Sequence, residues 1–305
     1  MRKRVVITGV GGYVGSALAN RLIEMGHLVI GFGYDENFPI LKKQFGEKLQ
    51  VTAGDIANEK ILLETFKDAD AVIHTASPTT EKFCVEKPWE AYQAIVLGTR
   101  AVVSAVWELK IPLLIHFSTQ AVYMNFHARE LPLTEEMEPK PDTVYGALKR
   151  AAELELVDMP AVILRPANIY GRNPLGIDRE NVIARFVTAV KTGTPLTIKG
   201  DGLQRADFVH LRDVVSVAEK ILISEPAESM PMTYNVGTGV SYSVQEIADI
   251  VMNTATERGL KISPAVYEQG SDRVAADRVL SPKRVQKVLP GFPFVSFTEG
   301  VQEMF

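Results

Sequence analysis

The sequence predicts an α/β protein built on a doubly wound parallel sheet, with a smaller C-terminal lobe. Three observations carry that prediction. The β-branched run Val5-Val6-Ile7-Thr8 leads at once into Gly9-Val10-Gly11-Gly12-Tyr13-Val14-Gly15, and Val14, Leu18, Leu22 and Met25 then recur at helical spacing. Short apolar strands alternate with helical segments as far as Pro166. From about Arg172 the alternation gives way to chain punctuated by Pro174, Gly176, Gly193, Pro195, Gly200 and Gly202.

The opening strand, glycine turn and helix make the start of a dinucleotide-binding βαβ unit. A pyrophosphate must reach backbone N–H groups at a helix N-terminus, where unpaired donors and the helix dipole favour an anion. A Cβ at Gly9 or Gly12 would hold the phosphates off, and a larger residue at Gly15 would push the helix from the strand. The spacing is G-x-x-G-x-x-G.

A second strand runs His27–Phe32. An acid near its end should meet the adenosine ribose, but the expected position is Gly33. Asp35, two residues on, reads either as that acid or as a solvated turn residue. No arginine follows to hold a 2′-phosphate, so NAD is favoured over NADP. Leu49–Ala53 is a third strand. Asp55 beyond it suits the adenine amino group, the N-cap of a helix through Ile61–Phe66, or both. Ala71–His74 is a fourth strand, and its exit Thr75-Ala76-Ser77 is small enough for backbone to pass under a cofactor. His74 reads as a satisfied core histidine.

Trp89–Leu109 reads as one long helix and Leu113–Phe117 as a fifth strand. Ligands in such sheets bind beyond the C-terminal strand ends, so Ser118 and Thr119 should face the reactive half of the cofactor. A helix beginning near Asp142 and running to about Val157 puts Tyr145 and Lys149 on one face. An ammonium beside a phenol stabilises phenolate, which suits proton exchange with an alcohol. Ala161–Pro166 is a sixth strand. The predicted division is a nucleotide-binding domain of residues 1–170 plus about 206–238, and a substrate-binding lobe of 171–205 and 239–305.

With 305 residues, 46% hydrophobic, 23% charged and net charge −4, the chain reads as a globular protein with no basic run for nucleic acid. It has no apolar stretch of membrane-spanning length and no signal-peptide core. Cys84 is its single cysteine, read as a buried inert thiol, and the five histidines show no metal-ligand spacing. The expectation is a cytoplasmic, metal-free protein.

Several motifs in order resemble the extended short-chain dehydrogenase/reductases, in particular the NAD-dependent epimerase/dehydratase group acting on nucleotide sugars. They are Thr8 to Gly15, Gly54-Asp55, Phe117-Ser118-Thr119-Gln120-Ala121-Val122-Tyr123, Tyr145 to Lys149, Leu164-Arg165-Pro166-Ala167-Asn168-Ile169-Tyr170-Gly171, Gly200 to His210 and Tyr234 to Gly239. The resemblance implies a Rossmann-type sheet and NAD held by Gly9, Gly12, Tyr13, Val14, Gly15, Asp35, Asp55, Ile56, Thr75, Ala76, Ser118, Tyr145, Lys149 and Pro166. It implies Tyr145 as acid/base, Lys149 on the ribose hydroxyls and lowering the tyrosine pKa, and Thr119 on the sugar oxygen being oxidised. A nucleotide-diphosphate sugar would meet Ser77, Thr119, Asn168, Arg205 and Arg273. For the two arginines the alternative is ion pairing with Asp201, Asp207 or Asp272, and for Asn168 the capping of a turn. A homodimer through the helices Trp89–Leu109 and Thr143–Val157 is implied by the same analogy.

Three positions depart from the family pattern: Ile95 for the usual helix asparagine, Gly33 for the ribose acid, and Met124-Asn125 after Tyr123 where a glycine is usual. A 4,6-dehydratase needs a second acid/base pair beside Thr119, and Gln120 and Ala121 cannot transfer protons. A C4 epimerase asks nothing of those positions and is the leading expectation. The alternatives are a 4-keto reductase using NAD(P)H and a non-catalytic dinucleotide sensor.

Overall fold

The computed structural model describes residues 2–33, 37–123, 131–177, 179–224, 232–269 and 278–305. The glycine-turn unit forms as the pattern requires: β1 (Arg4–Thr8), α1 (Tyr13–Glu24) and β2 (Leu28–Gly33). Then come α2 (Phe38–Phe45), β3 (Leu49–Ala53), α3 (Glu59–Phe66), β4 (Ala71–His74) and α4 (Glu81–Glu86). The expected long helix is α5 (Pro88–Tyr92), a π turn over Gln93–Leu97 and α6 (Gly98–Glu108), one after another. A π turn inserts one residue into the helical ladder and shifts the faces on either side of it. Next are β5 (Leu114–Phe117), α7 (Val144–Leu154) and β6 (Ala161–Pro166).

β7 (Asn168–Tyr170), α8 (Val182–Thr192), β8 (Thr197–Lys199), β9 (Arg205–His210) and α9 (Leu211–Ile223) follow. The chain closes with β10 (Met232–Val236), β11 (Ser241–Ser243), α10 (Val244–Glu257), β12 (Val266–Glu268), α11 (Lys283–Val288) and α12 (Phe297–Glu303).

Seven strands form one parallel sheet in the order β10-β6-β5-β4-β1-β2-β3. From β1 the chain winds outward through β2 and β3, then returns to β4 and winds the other way. Its crevice therefore opens between β1 and β4, at the C-terminal strand ends, where Thr8 pairs with His74. The strands read as continuous apolar runs because helices cover both faces. α1, α2 and α9 pack one face, and α3 and α6 the other.

The stretch of about 206–238 is shared between sheets: β10 joins the seven-stranded sheet, while β9 lies between β11 and β7 in a three-stranded one. β8 and β12 pair separately. A second core of Tyr170, Phe186, Phe208, Ile247, Val251 and Phe297 knits β7 and β9 to α8, α10 and α12. Among the described residues no helix is long and apolar enough to cross a membrane.

Candidate active site

At the glycine turn the backbone of Gly9 is left-handed (φ +69°), and a Cβ there would lie 2.7 Å from Ala76 Cα. A Cβ at Gly15 would strike the Gly9 carbonyl. Gly12 has more room, since its Cβ would stand 3.2 Å from the Gly9 oxygen. The first and third glycines are thus required by the protein's own packing: β1 and α1 meet backbone to backbone, with the β4 exit laid against the turn. Thr75 completes the seat by donating its hydroxyl to the Thr8 carbonyl at 2.7 Å. α1 starts with no side-chain cap and no acid in its first turn, so its positive end stays open to an anion. That cradle fits a pyrophosphate.

Tyr13 donates its hydroxyl to the Gly171 carbonyl (2.6 Å), and Asn173 Nδ2 donates to Tyr13 O (2.6 Å) and Ser16 Oγ (2.9 Å). Asn37 Nδ2 reaches Gly11 O at 3.1 Å. Asn173 and Asn37 were not legible in the sequence, because their partners are backbone atoms brought close only by the fold. Asp35 and Arg273 lie outside the described residues. Gly33, with φ +152°, has a backbone conformation that disfavours the acid expected there.

Asp55 is not the cap of α3. Its carboxylate accepts from Ala57 N at 2.9 Å, and Asn58 caps the helix by accepting from Ile61 N. The sequence expectation placed the cap three residues too early, at Asp55 rather than Asn58. Ile56 is buried and presses on α6 where Gly98 leaves space. Pro166 ends β6 beside Val236 of β10. His74 is a satisfied core histidine as read: Thr99 donates to Ile95 O at 2.6 Å, so its oxygen accepts from His74 Nε2 at 3.1 Å. His74 Nδ1 then accepts from Thr8 at 2.7 Å.

Beyond β5 the expected Ser118–Thr119 pair is split. On extended backbone successive side chains point to opposite sides. Thr119 turns toward Tyr145, where its hydroxyl acts to lower the pKa of the phenol, and it accepts from Ala121 N at 3.2 Å. Ser118 turns inward and donates to Glu153 Oε1 at 2.6 Å. Its hydroxyl is therefore not offered to the cofactor side.

Lys149 is buried and donates to the Phe117 carbonyl at 2.6 Å. Burial draws its ammonium down to about 8, with the Glu153 charge opposing. The Tyr145 phenol is pushed up to about 12 by burial, while Arg179 and the Thr119 hydroxyl act to lower it. Desolvation outweighs the nearby Arg179 guanidinium. Tyr145 and Leu148 lie against an apolar cluster of Cys84, Ala91, Ile95, Val96 and Ala152, which is where the desolvation comes from. Ile95, in place of the family asparagine, belongs to that cluster. Cys84 is buried and burial raises its thiol pKa, as befits an inert thiol.

Under these residues lies a buried polar network. Arg165 donates through Nε (2.8 Å) and Nη2 (2.7 Å) to the two Glu153 oxygens, and through Nη1 to Tyr123 Oη at 2.8 Å. Tyr123 donates to Asn235 Oδ1 at 2.8 Å, and Asn235 Nδ2 to Leu133 O at 3.0 Å. Burial alone would push the Glu153 carboxyl up, but Arg165, Ser118 and Arg150 hold it below the usual range. Two signals pointed here: a lone arginine in the apolar run Val162–Pro166, and a glutamate four residues after Lys149 on the same face.

The substrate-side residues each have partners within the protein. Ser77 Oγ donates to Pro78 O, and Asn168 Nδ2 to Asp207 O at 3.0 Å. Arg205 is engaged with Ser241 and forms an ion pair with Glu246 at 2.9 Å, so its alternative partner is Glu246 rather than Asp201 or Asp207. Asp207 instead accepts from the Thr238, Gly239 and Leu280 backbone and the Thr238 hydroxyl.

A sequence profile of the NAD dependent epimerase/dehydratase family matches residues 5–237. The chain is 30% identical over 321 residues to the dTDP-D-glucose 4,6-dehydratase of Homo sapiens, spanning 99% of this chain and 88% of that protein. It is 28% identical over 312 residues to the UDP-glucose 4-epimerase of Mycolicibacterium smegmatis, spanning 98% and 96%. Its fold is similar to that of the UDP-N-acetylglucosamine 4-epimerase from Methanobrevibacter ruminantium M1, with a TM-score of 0.87, 22% identity, and 99% and 97% of the two chains covered. With the glycine cradle at the switch point and Thr119, Tyr145 and Lys149 gathered beyond β5, the chain belongs to the NAD dependent epimerase/dehydratase family, whose cofactor is NAD.

Proposed function

We propose that this protein is a nucleotide-sugar epimerase acting at C4 through a transient 4-keto sugar, with Tyr145 as acid/base. One observation carries the choice: an intact Thr119–Tyr145–Lys149 cluster is followed by Gln120 and Ala121, both buried. Elimination of water from a sugar needs a second proton donor and acceptor beside Thr119. A carboxamide and a methyl group cannot serve. Inversion at C4 asks nothing of either position.

The uncapped N-terminus of α1 and the turn Gly9–Gly15 would hold the pyrophosphate of NAD, and Lys149 its ribose hydroxyls. When bound, NAD supplies a hydride acceptor and, oxidised, a positive ring, which would act with Arg179 to bring the phenol down toward neutral pH. Tyr145 takes the C4 hydroxyl proton and returns it once the keto sugar has presented its other face. Thr119 hydrogen-bonds the same oxygen. Asn168 and Arg205 would grip the diphosphate, Arg205 by exchanging Glu246 for phosphate oxygens. The lobe of residues 171–205 and 239–305 would cover the sugar.

A cytoplasmic homodimer completes the proposal. Trp89, Trp107, Val144, Leu154 and Val157 are exposed on α5, α6, α7 and just beyond, the helices expected to pair. Light scattering tests the dimer.

The deciding experiment incubates the purified protein, without added cofactor, with UDP- and dTDP-hexoses and UDP-uronic acids, and follows isomerisation by NMR. Interconversion of two C4 epimers supports the proposal. Turnover only with stoichiometric reduced cofactor would make it a 4-keto reductase. Cofactor binding with no turnover would make it a sensor.

A further inference from the structure

The first turn of α7 carries Tyr145, and an α-helix begins with N–H groups that have no partner within the helix. Thr143 caps α7 and serves one of them, accepting from Gly146 N at 3.0 Å. The turn has no acidic residue of its own. Two of its other donors are met from far along the chain. Glu81, the first residue of α4, accepts from Val144 N through Oε1 at 3.0 Å and from Tyr145 N through Oε2 at 2.9 Å.

A carboxylate on two adjacent N–H groups at the positive end of a helix is a charge-assisted, two-point attachment. On its other side the turn is fixed by Gly146, where any Cβ would strike the Ala121 carbonyl. The backbone that carries Tyr145 is thus held between the Gln120–Val122 turn beyond β5 and a side chain reaching from α4. α4 is seated in turn by Thr80, which caps it by accepting from Phe83 N at 3.2 Å.

We propose that Glu81 is a positioning residue for Tyr145, fixing the first turn of α7 so that the phenol stands at the Thr119 hydroxyl. The inference rests on the functional reading above. Glu81 touches neither reacting atom. Its effect is geometric, and catalysis by a placed proton donor is steep in placement.

The test compares Glu81→Ala, Glu81→Gln and Tyr145→Phe with the wild-type protein carrying NAD. It measures kcat, KM and NAD retention on the nucleotide sugar found active in the panel, with hydrogen exchange across residues 143–147. Glu81→Ala is expected to lower kcat by about tenfold or more while KM and NAD retention stay within about twofold, the pattern of lost transition-state placement. Exchange at Val144 and Tyr145 should speed up. Glu81→Gln keeps one acceptor oxygen and should recover part of kcat.

Wild-type kcat in Glu81→Ala overturns the inference. So does a loss spread evenly over kcat, KM, NAD retention and melting temperature, which is plain destabilisation. Unchanged exchange at Val144 and Tyr145 also overturns it, and this readout needs no substrate. A fully active Tyr145→Phe protein would instead sink the functional reading, which keeps the two failures apart.

Discussion

Replacing Glu153 by Gln leaves a side chain of the same shape but removes the charge opposite Arg165. The structure sets the size of the effect. The carboxylate accepts four hydrogen bonds, from Ser118, Arg165 Nε, Arg165 Nη2 and Arg150. Its side chain is 0% exposed and that of Arg165 is 4% exposed. A carboxamide would point an NH2 at donors and leave a guanidinium buried without its counter-charge, which costs about 3–5 kcal/mol. The Arg150 contact, at 33% exposure of that arginine, adds little. Against a typical total stability of about 5–15 kcal/mol this is a large loss.

Removing both charges, with Glu153→Gln and Arg165→Met together, should cost less than Glu153→Gln alone. The double variant buries no unpaired charge. Urea unfolding of the two single variants and the double variant closes the cycle. If Glu153→Gln lies within about 1 kcal/mol of wild type, or the double variant is worse than the sum of the singles, the pair does not work as described.

Four further expectations accompany it. Tyr145→Phe should retain NAD yet lose turnover by about a hundredfold or more in the isomerisation assay, as removal of an acid/base does. Lys149, with its ammonium drawn down to about 8, should lose its charge through the alkaline range, so NAD affinity of the wild type falls above about pH 8, whereas Lys149→Met binds weakly but without that dependence in equilibrium dialysis. Gly15→Ala should fail to retain NAD, because its Cβ strikes the Gly9 carbonyl; an absorbance spectrum of the purified protein reports this.

The last concerns stability against pH. Burial pushes the Asp213 carboxyl up to about 7, so between roughly pH 4 and 7 the folded chain keeps a proton the unfolded chain has lost. Its contribution to stability is then largest below that window and falls by about 4 kcal/mol as pH rises through it, at about 1.4 kcal/mol per unit. Asp213→Asn can still accept from Val295 N and should lack this slope in melts taken from pH 4 to 8. Parallel curves for the two proteins would refute the assignment.

Patterns carried by neighbouring residues were readable before any coordinates. The glycine triplet, the strand-helix alternation, the Tyr145–Lys149 face and the parallel sheet all follow from local periodicity and spacing, because strands repeat every two residues and helices every 3.6. The cap of α3 slipped from Asp55 to Asn58, since helix ends are set by one hydrogen bond rather than by a period. Ser118 was aimed at the cofactor, and only its alternation with Thr119 and the buried Glu153 turned it inward.

What required the folded chain was every property set by burial and by contacts distant in sequence. The acidity of Tyr145 depends on the apolar wall of Cys84, Ile95 and Ala152, and no spacing rule ranks that desolvation against a nearby ammonium. The Glu153–Arg165–Tyr123–Asn235 network joins four separate segments. The grip of Glu81 on α7 spans more than sixty residues of chain. A local pattern tells which way a side chain faces relative to its own element; the protonation it prefers and the partner it finds depend on what the fold packs against that face.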